Sequence, residues 1–175
     1  MGEHHRGSLR LQGYNYSSVG SYFITVCTQD RKIHFEENSS LIDIIHAQWV
    51  ELPKTFPNIY LDEFTIMPNH VHGIIFIERR GLIHQAPNGS KGVINHAPTP
   101  QWGLMRNSNV TLGKIMRHFK AKCTKLIRDQ GCTEFQWQRG YYDRIIRDDI
   151  ELNRIREYIV NNPLMWDTDE NNLGA

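Results

Sequence analysis

Residues 66–77 read IMPNHVHGIIFI. The dipeptide Pro68-Asn69 is turn chemistry, because proline presets φ and asparagine tolerates the left-handed region, and the apolar run behind it has the length of a buried strand. A strand is therefore predicted from His70 to Ile77. The run before the turn, IYLDEFTIM at 59–67, is rich in β-branched and aromatic types, so the two form a hairpin. Alternate residues of a strand share a face, which points His70 and His72 to one side and Val71 to the other. Two imidazoles so placed are either half of a metal site or a pair of hydrogen-bonded rim histidines, and spacing by itself leaves both open.

Further strands and helices flank this hairpin. SYFITVCT at 21–28, after Gly20, predicts a first strand with a buried centre. SSLIDIIHAQWVELPK at 39–54 predicts a helix: Ser39 or Ser40 can cap it, Leu41, Ile44, Ile45, Trp49 and Leu52 form its apolar stripe, and Pro53 stops it. His46 lies off the stripe and reads as solvated. From 79 to 109 periodicity is lost and Gly, Pro, Asn and Ser accumulate, the signature of a long flexible insertion in which His84 and His96 have no metal role.

NVTLGKIMRHFKAKCTKLIRDQG at 109–131 predicts a second helix with Leu112, Ile115, Met116, Phe119, Cys123, Leu126 and Ile127 on one face, cations on the other, and Gly131 past its end. A short strand at YYDRIIR, 141–147, precedes a third helix at 148–163, with Asp148 and Glu151 at capping-box spacing, Leu152, Ile155 and Ile159 as its stripe and Pro163 closing it. The order β-α-β-β-α-β-α is that of an α+β, ferredoxin-like split β-α-β unit: an antiparallel sheet, helices on one face, and one helix added at the C-terminus. One domain over 1–175 is expected, since 175 residues with 39% hydrophobic content supply one core.

The net charge of +1 conceals a local imbalance. Between Arg106 and Arg128 there are seven basic residues and no acidic one, so a polyanion would meet the chain there. Cys27, Cys123 and Cys132 form no CxxC pair, their odd number argues against a disulfide framework, and no apolar run approaches the ~20 residues of a membrane span. The resulting expectation is a cytoplasmic protein with free thiols and no membrane partner.

The string MPNHVHGIIFI resembles the HUH motif (His, hydrophobic residue, His) of single-tyrosine transposases, specifically the REP-associated tyrosine transposases and their relatives. GSYFITVCTQDR, FPNIYLDEFTIMPNHVHGIIFI and FQWQRGYYDRIIRDDIELNRIREYIVNNPLMW resemble family blocks in family order. The resemblance implies a divalent metal, Mg²⁺ or Mn²⁺, on His70 and His72, and a tyrosine nucleophile on the C-terminal helix; REYIVNNP places it at Tyr158. Asn162, four residues on and so on the same helix face, is the expected third ligand, an amide that can be glutamine in relatives. Without the resemblance, Tyr158 and Asn162 read as an interfacial tyrosine and a helix-end asparagine.

The implied partner is single-stranded or hairpin DNA, and the implied reaction is cleavage and strand transfer through a 5′-phosphotyrosine. Lys114, Arg117, Lys120 and Lys125 on the second helix, with Trp137, Arg139 and Arg144, are the candidate DNA contacts, cations following phosphates and rings stacking on bases. Tyr141 and Tyr142 are rival nucleophiles, but adjacent strand residues face opposite ways, so at most one could reach the metal. Many family members carry a histidine after YYD; Arg144 stands there instead and cannot exchange protons near pH 7. Wider relatives act either as homodimers sharing sites or as monomers. The alternative to an enzyme is a hairpin-binding DNA or RNA protein that has lost cleavage, and a weaker one is a metallohydrolase using bound water.

Overall fold

The computed structural model describes residues 20–36, 39–78, 110–169 and 171–172; the expected insertion at 79–109, with His84 and His96, lies outside them. The elements in chain order are β1 (Gly20–Cys27), α1 (Ser39–Val50), the one-turn α2 (Leu52–Thr55), β2 (Ile59–Met67), β3 (His70–Ile77), α3 (Leu112–Asp129), β4 (Tyr142–Ile146) and α4 (Asp149–Asn161). A 3-10 helix over Asn162–Thr168 follows. The strands form one antiparallel sheet in the order β2-β3-β1-β4, the split β-α-β arrangement.

Strand alternation divides the sheet between two jobs. On one face Tyr22, Ile24 and Val26 of β1 and Val71 and Ile75 of β3 pack with Leu41, Ile45 and Trp49 of α1 and Ile115, Met116, Phe119, Cys123 and Ile127 of α3. This is the main core. On the other face Ile74 of β3 and Ile146 of β4 meet Leu152, Ile155 and Ile159 of α4, with Phe23 and Phe76 packed alongside. The C-terminal helix therefore covers the face that α1 and α3 leave free.

Local signals explain the element ends. Thr111 caps α3, its hydroxyl accepting from the Lys114 N–H, and Gly131 takes the positive φ (+96°) just past the helix. Asp148 caps α4 through the Glu151 N–H at 2.7 Å, while the Glu151 carboxylate accepts from the Arg147 N–H rather than from the cap residue. Pro53 does not simply stop α1; it sits in the first turn of α2, where its missing N–H costs no helix bond. Gly73 is a close-approach glycine: a Cβ there would lie 2.5 Å from the Trp49 ring and 3.0 Å from Phe64.

Candidate metal and nucleophile centre

His70 and His72 begin β3 on the face that α4 covers, opposite Cys27 and Thr25 of β1. Both are buried, as is Asn69 of the turn before them. The Asn69 amide fixes the chemistry. Its Nδ2 donates to the carbonyls of Arg31 (3.0 Å) and Asn171 (2.7 Å), so its Oδ1 can only face His70 Nδ1, at 2.8 Å, as an acceptor. His70 must then carry its proton on Nδ1 and keep a lone pair on Nε2.

His72 Nδ1 lies 2.9 Å from Thr25 Oγ1, and the two Nε2 atoms face each other at 2.9 Å. Without a cation this pair closes as a hydrogen bond, His72 Nε2–H donating to His70 Nε2 while the Thr25 hydroxyl donates to His72 Nδ1. Moving the His72 proton to Nδ1, where Thr25 can accept it, turns both Nε2 lone pairs toward one point. Burial pushes His70 down to about 4, against a partly opposing pull from Asp169, and pushes His72 down to about 3, with the neighbouring His70 adding to the effect. Both rings are thus neutral at pH 7, the form that ligates metals.

A carboxylate joins them. Asp169, beyond the 3-10 helix, brings an oxygen into the same cluster, and the ligand atoms of His70, His72 and Asp169 lie within 4.8 Å of one another. The cluster could hold a metal ion. Asn162, the third ligand expected from the sequence, is buried one turn past Tyr158, and its Oδ1 has no hydrogen-bond partner among the described residues. A buried amide oxygen without a donor is costly. The carboxylate of Asp169 escaped sequence reading because it comes from a segment whose path depends on the tail hydrogen bonds of Asn69 and on Asn171.

Tyr158 lies on α4 with its hydroxyl 3.4 Å from His72 Nε2, within the same chain. Its ring stands edge-on to His72 (centroids 5.3 Å) and to Phe23 (6.0 Å), and Phe23 stacks on His72 at 5.3 Å. Tyr158 is 45% exposed, so the hydroxyl is not sealed in the interior. The Arg156 guanidinium holds α4 against β2 through Asp62, Nε to Oδ1 at 3.1 Å.

The expected DNA contacts separate. Lys114, Arg117, Lys125 and Arg139 are exposed, and Arg117 and Lys125 line a groove of about 920 Å³ between α3 and residues 136–141. Lys125 also pairs with Asp129 at 2.6 Å. Lys120 is half-buried and its ammonium donates to the carbonyls of Gln138 and Gly140, both at 2.6 Å, so it ties that loop to α3; burial pulls it down to about 8. Trp137 is largely buried, packed on Phe35 and edge-on to Phe135, and its backbone bridges to Thr28; it also lines the groove with Arg117 and Lys125. Arg144 lies on β4 opposite Phe23 and pairs with Glu151 at 2.6 Å.

Fold and centre together define an α+β sheet protein with paired histidines on a central strand facing a helix-borne tyrosine. The chain belongs to the same family as an uncharacterized protein of Haemophilus influenzae (strain ATCC 51907 / DSM 11121 / KW20 / Rd), 40% identical over 182 residues that cover 97% of this chain and 94% of the other. Its fold is that of the REP-associated tyrosine transposases: a solved structure of such a transposase bound to a REP hairpin superposes with a TM-score of 0.58 at 16% identity, covering 90% of this chain and 75% of that one. No protein-family model matches the chain. Among the described residues no helix is long and apolar enough to cross a membrane.

Proposed function

We propose that the protein is a metal-dependent endonuclease and strand transferase acting on single-stranded or hairpin DNA, with Tyr158 as the nucleophile. The observation that carries the reading is the 3.4 Å approach of the Tyr158 hydroxyl to His72 Nε2, next to a histidine pair whose Nε2 atoms are 2.9 Å apart. Support from kinship is of two kinds: the shared fold, and the fact that the solved relative is a transposase with a REP hairpin bound.

Tyr158 gives its phenolic proton to solvent and its oxygen forms the new bond to phosphorus; the bond to the 3′ oxygen breaks, and that oxygen leaves with a proton as a 3′-hydroxyl. The 5′-phosphotyrosine retains the energy of the broken ester, so rejoining to another strand needs no nucleotide cofactor. An unperturbed phenol has a pKa of ~10, and bringing it to neutrality corresponds to roughly 4 kcal/mol. A divalent cation such as Mg²⁺ or Mn²⁺, held by His70 and His72 with Asp169 or Asn162, would supply Lewis acidity at the scissile phosphate. Asn69 and Thr25 orient the imidazoles, burial keeps both neutral, and the Phe23 ring braces Tyr158 and His72. With Arg144 committed to Glu151 and unable to give up a proton, the leaving oxygen takes its proton from water.

The test is covalent capture. Wild-type protein with Mn²⁺ and an end-labelled hairpin oligonucleotide should give a denaturation-resistant adduct, and Tyr158→Phe should give none. An adduct in the Phe variant moves the nucleophile elsewhere, and binding without any adduct in wild type leaves the hairpin-binding alternative.

A further inference from the structure

On the loop that follows α3, Cys132 turns its Sγ toward the His34 ring, 4.0 Å from Nδ1. The two residues are 98 positions apart in the chain, and both are half-buried. Their separation is too long for a strong hydrogen bond, and among the described residues neither atom has another hydrogen-bond partner. It is also shorter than the roughly 4.3–4.4 Å that a zinc–sulfur and a zinc–nitrogen bond span end to end. One ion can therefore reach both atoms with the backbone where it stands.

The backbone on each side is fixed. The Cys132 N–H donates to the Ile127 carbonyl at 3.3 Å, the Cys132 carbonyl accepts from the Phe135 N–H at 3.1 Å, and Arg128 Nε holds the Phe135 carbonyl at 3.1 Å. The N–H groups of His34 and Phe35 both donate to the Pro68 carbonyl, at 2.9 and 3.0 Å. The His34 ring stands edge-on to the buried Phe135, with centroids 5.2 Å apart. Burial, with the Lys32 charge adding to it, holds His34 below the ordinary histidine range, so the ring keeps the neutral form that ligates metals. The exposed Glu134 carboxylate acts on His34 in the opposite sense, favouring a cation there. A thiolate and an imidazole together select thiophilic and borderline ions such as Zn²⁺ over Mg²⁺ or Mn²⁺.

We propose that Cys132 and His34 form a second metal site, for a thiophilic divalent ion such as Zn²⁺, with water and the Glu134 carboxylate in the remaining positions. On binding, the Cys132 thiol gives its proton to solvent and its sulfur bonds to the ion. The site differs from the His70 and His72 centre in its donors, and it stands whether or not the protein cleaves DNA. It also has a structural consequence. The segment that carries His34 holds the Pro68-Asn69 turn from which His70 departs, so a bound ion would tie that segment to the end of α3 and brace the turn.

The experiment titrates the full chain with Co²⁺, without oxygen or added thiols, and reads the thiolate-to-cobalt charge-transfer band, which imidazole and carboxylate ligands do not give. Wild type and Cys27→Ser should show the band, and Cys132→Ser should not. Cys27→Ser is the control because Cys27 lies opposite His70 in the sheet. Loss of a partner that merely supports a ligand weakens metal binding 10- to 100-fold, so His34→Gln, which loses a ligand, should raise the Co²⁺ midpoint ten-fold or more. A second measurement needs no variant: at ten times its midpoint concentration, Zn²⁺ should slow iodoacetamide labelling of Cys132 in wild type about eleven-fold. The site is overturned by a wild type with no band, by a band that survives Cys132→Ser or vanishes in Cys27→Ser, by an unmoved midpoint in His34→Gln, or by labelling that Zn²⁺ leaves unchanged.

Discussion

Asn69 performs two separable jobs, and two substitutions should separate them. Its Oδ1 accepts from His70 Nδ1 at 2.8 Å, which fixes the tautomer of a candidate ligand; its Nδ2 donates to the carbonyls of Arg31 and Asn171, which fastens the tail to the turn. Asn69→Ala removes all three bonds at a position that is 1% exposed, where water cannot replace them. At about 1 kcal/mol per bond, with more for groups left buried and unpaired, the loss should be about 2–4 kcal/mol. For a chain of this size that lowers Tm by roughly 4–16 °C. Freed of its acceptor, His70 can turn or change tautomer, and loss of such a supporting partner commonly weakens metal binding 10- to 100-fold. Asn69→Asp keeps an acceptor beside Nδ1 and adds negative charge, yet cannot donate to the two carbonyls. It should lose stability like the Ala variant but bind metal as well as wild type or better. Guanidinium unfolding in chelator reads the first quantity and Mn²⁺ calorimetry the second. If both variants lose metal affinity alike, or neither does, the reasoning about His70 fails.

Three further outcomes follow from the same geometry. Gly73→Ala should destabilise by about 1–3 kcal/mol or more, because its methyl would meet the buried Trp49 ring at 2.5 Å; an unchanged unfolding midpoint would show that the ring yields. His70 and His72 are depressed to about 4 and about 3, below the ~6.5 of an unfolded histidine, so in chelator the unfolded chain binds the extra protons as pH falls below 6.5. Stability should then fall with a slope approaching 2.7 kcal/mol per pH unit between pH 6 and pH 4; a flat profile in urea titrations there, or one no steeper than that of His70→Gln/His72→Gln, would contradict neutral burial. Asp169→Asn removes the carboxylate of the His70, His72, Asp169 cluster and should weaken Mn²⁺ binding ten-fold or more, whereas unchanged affinity would leave the third position to Asn162.

The sheet and its two helical layers were legible because strand and helix periods are short-range: β2 and β3 begin and end where IYLDEFTIM and HVHGIIFI do. The histidine pair was legible for the same reason, as a two-residue repeat on a strand. What depended on long-range packing was not. Trp137 and Lys120 read as surface groups beside other cations and rings, but Trp137 fills core space between Phe35 and Phe135, and the Lys120 ammonium serves two carbonyls of the neighbouring loop. Asp169 and Asn69 were missed because neither carries a periodic signal; the contacts that give Asp169 its role cross 97 and 99 residues, and the role of Asn69 hangs on a tautomer. An Asn just before an H-x-H pair is the one local hint the sequence offered.

Alternation along β3 makes the fold and the centre one problem. Residues 71, 73, 75 and 77 face α1 and α3, and residues 70, 72, 74 and 76 face the other way, toward α4 in the case of Ile74. Slipping the strand by one position would drive both imidazoles into the apolar core and expose Val71 and Ile75, a change no hydrogen bond could offset. Gly73 enforces the same register from the opposite side, since only a residue without a Cβ fits under Trp49. The packing that stabilises one face of the sheet therefore holds the histidines in place on the other, while α4 brings Tyr158 over them through contacts of its own with Ile74, Ile146 and Asp62. Loosening α4 should accordingly impair Tyr158 placement before it disturbs the histidine pair, because that pair is also anchored by Thr25 of β1 and by the Asn69 oxygen.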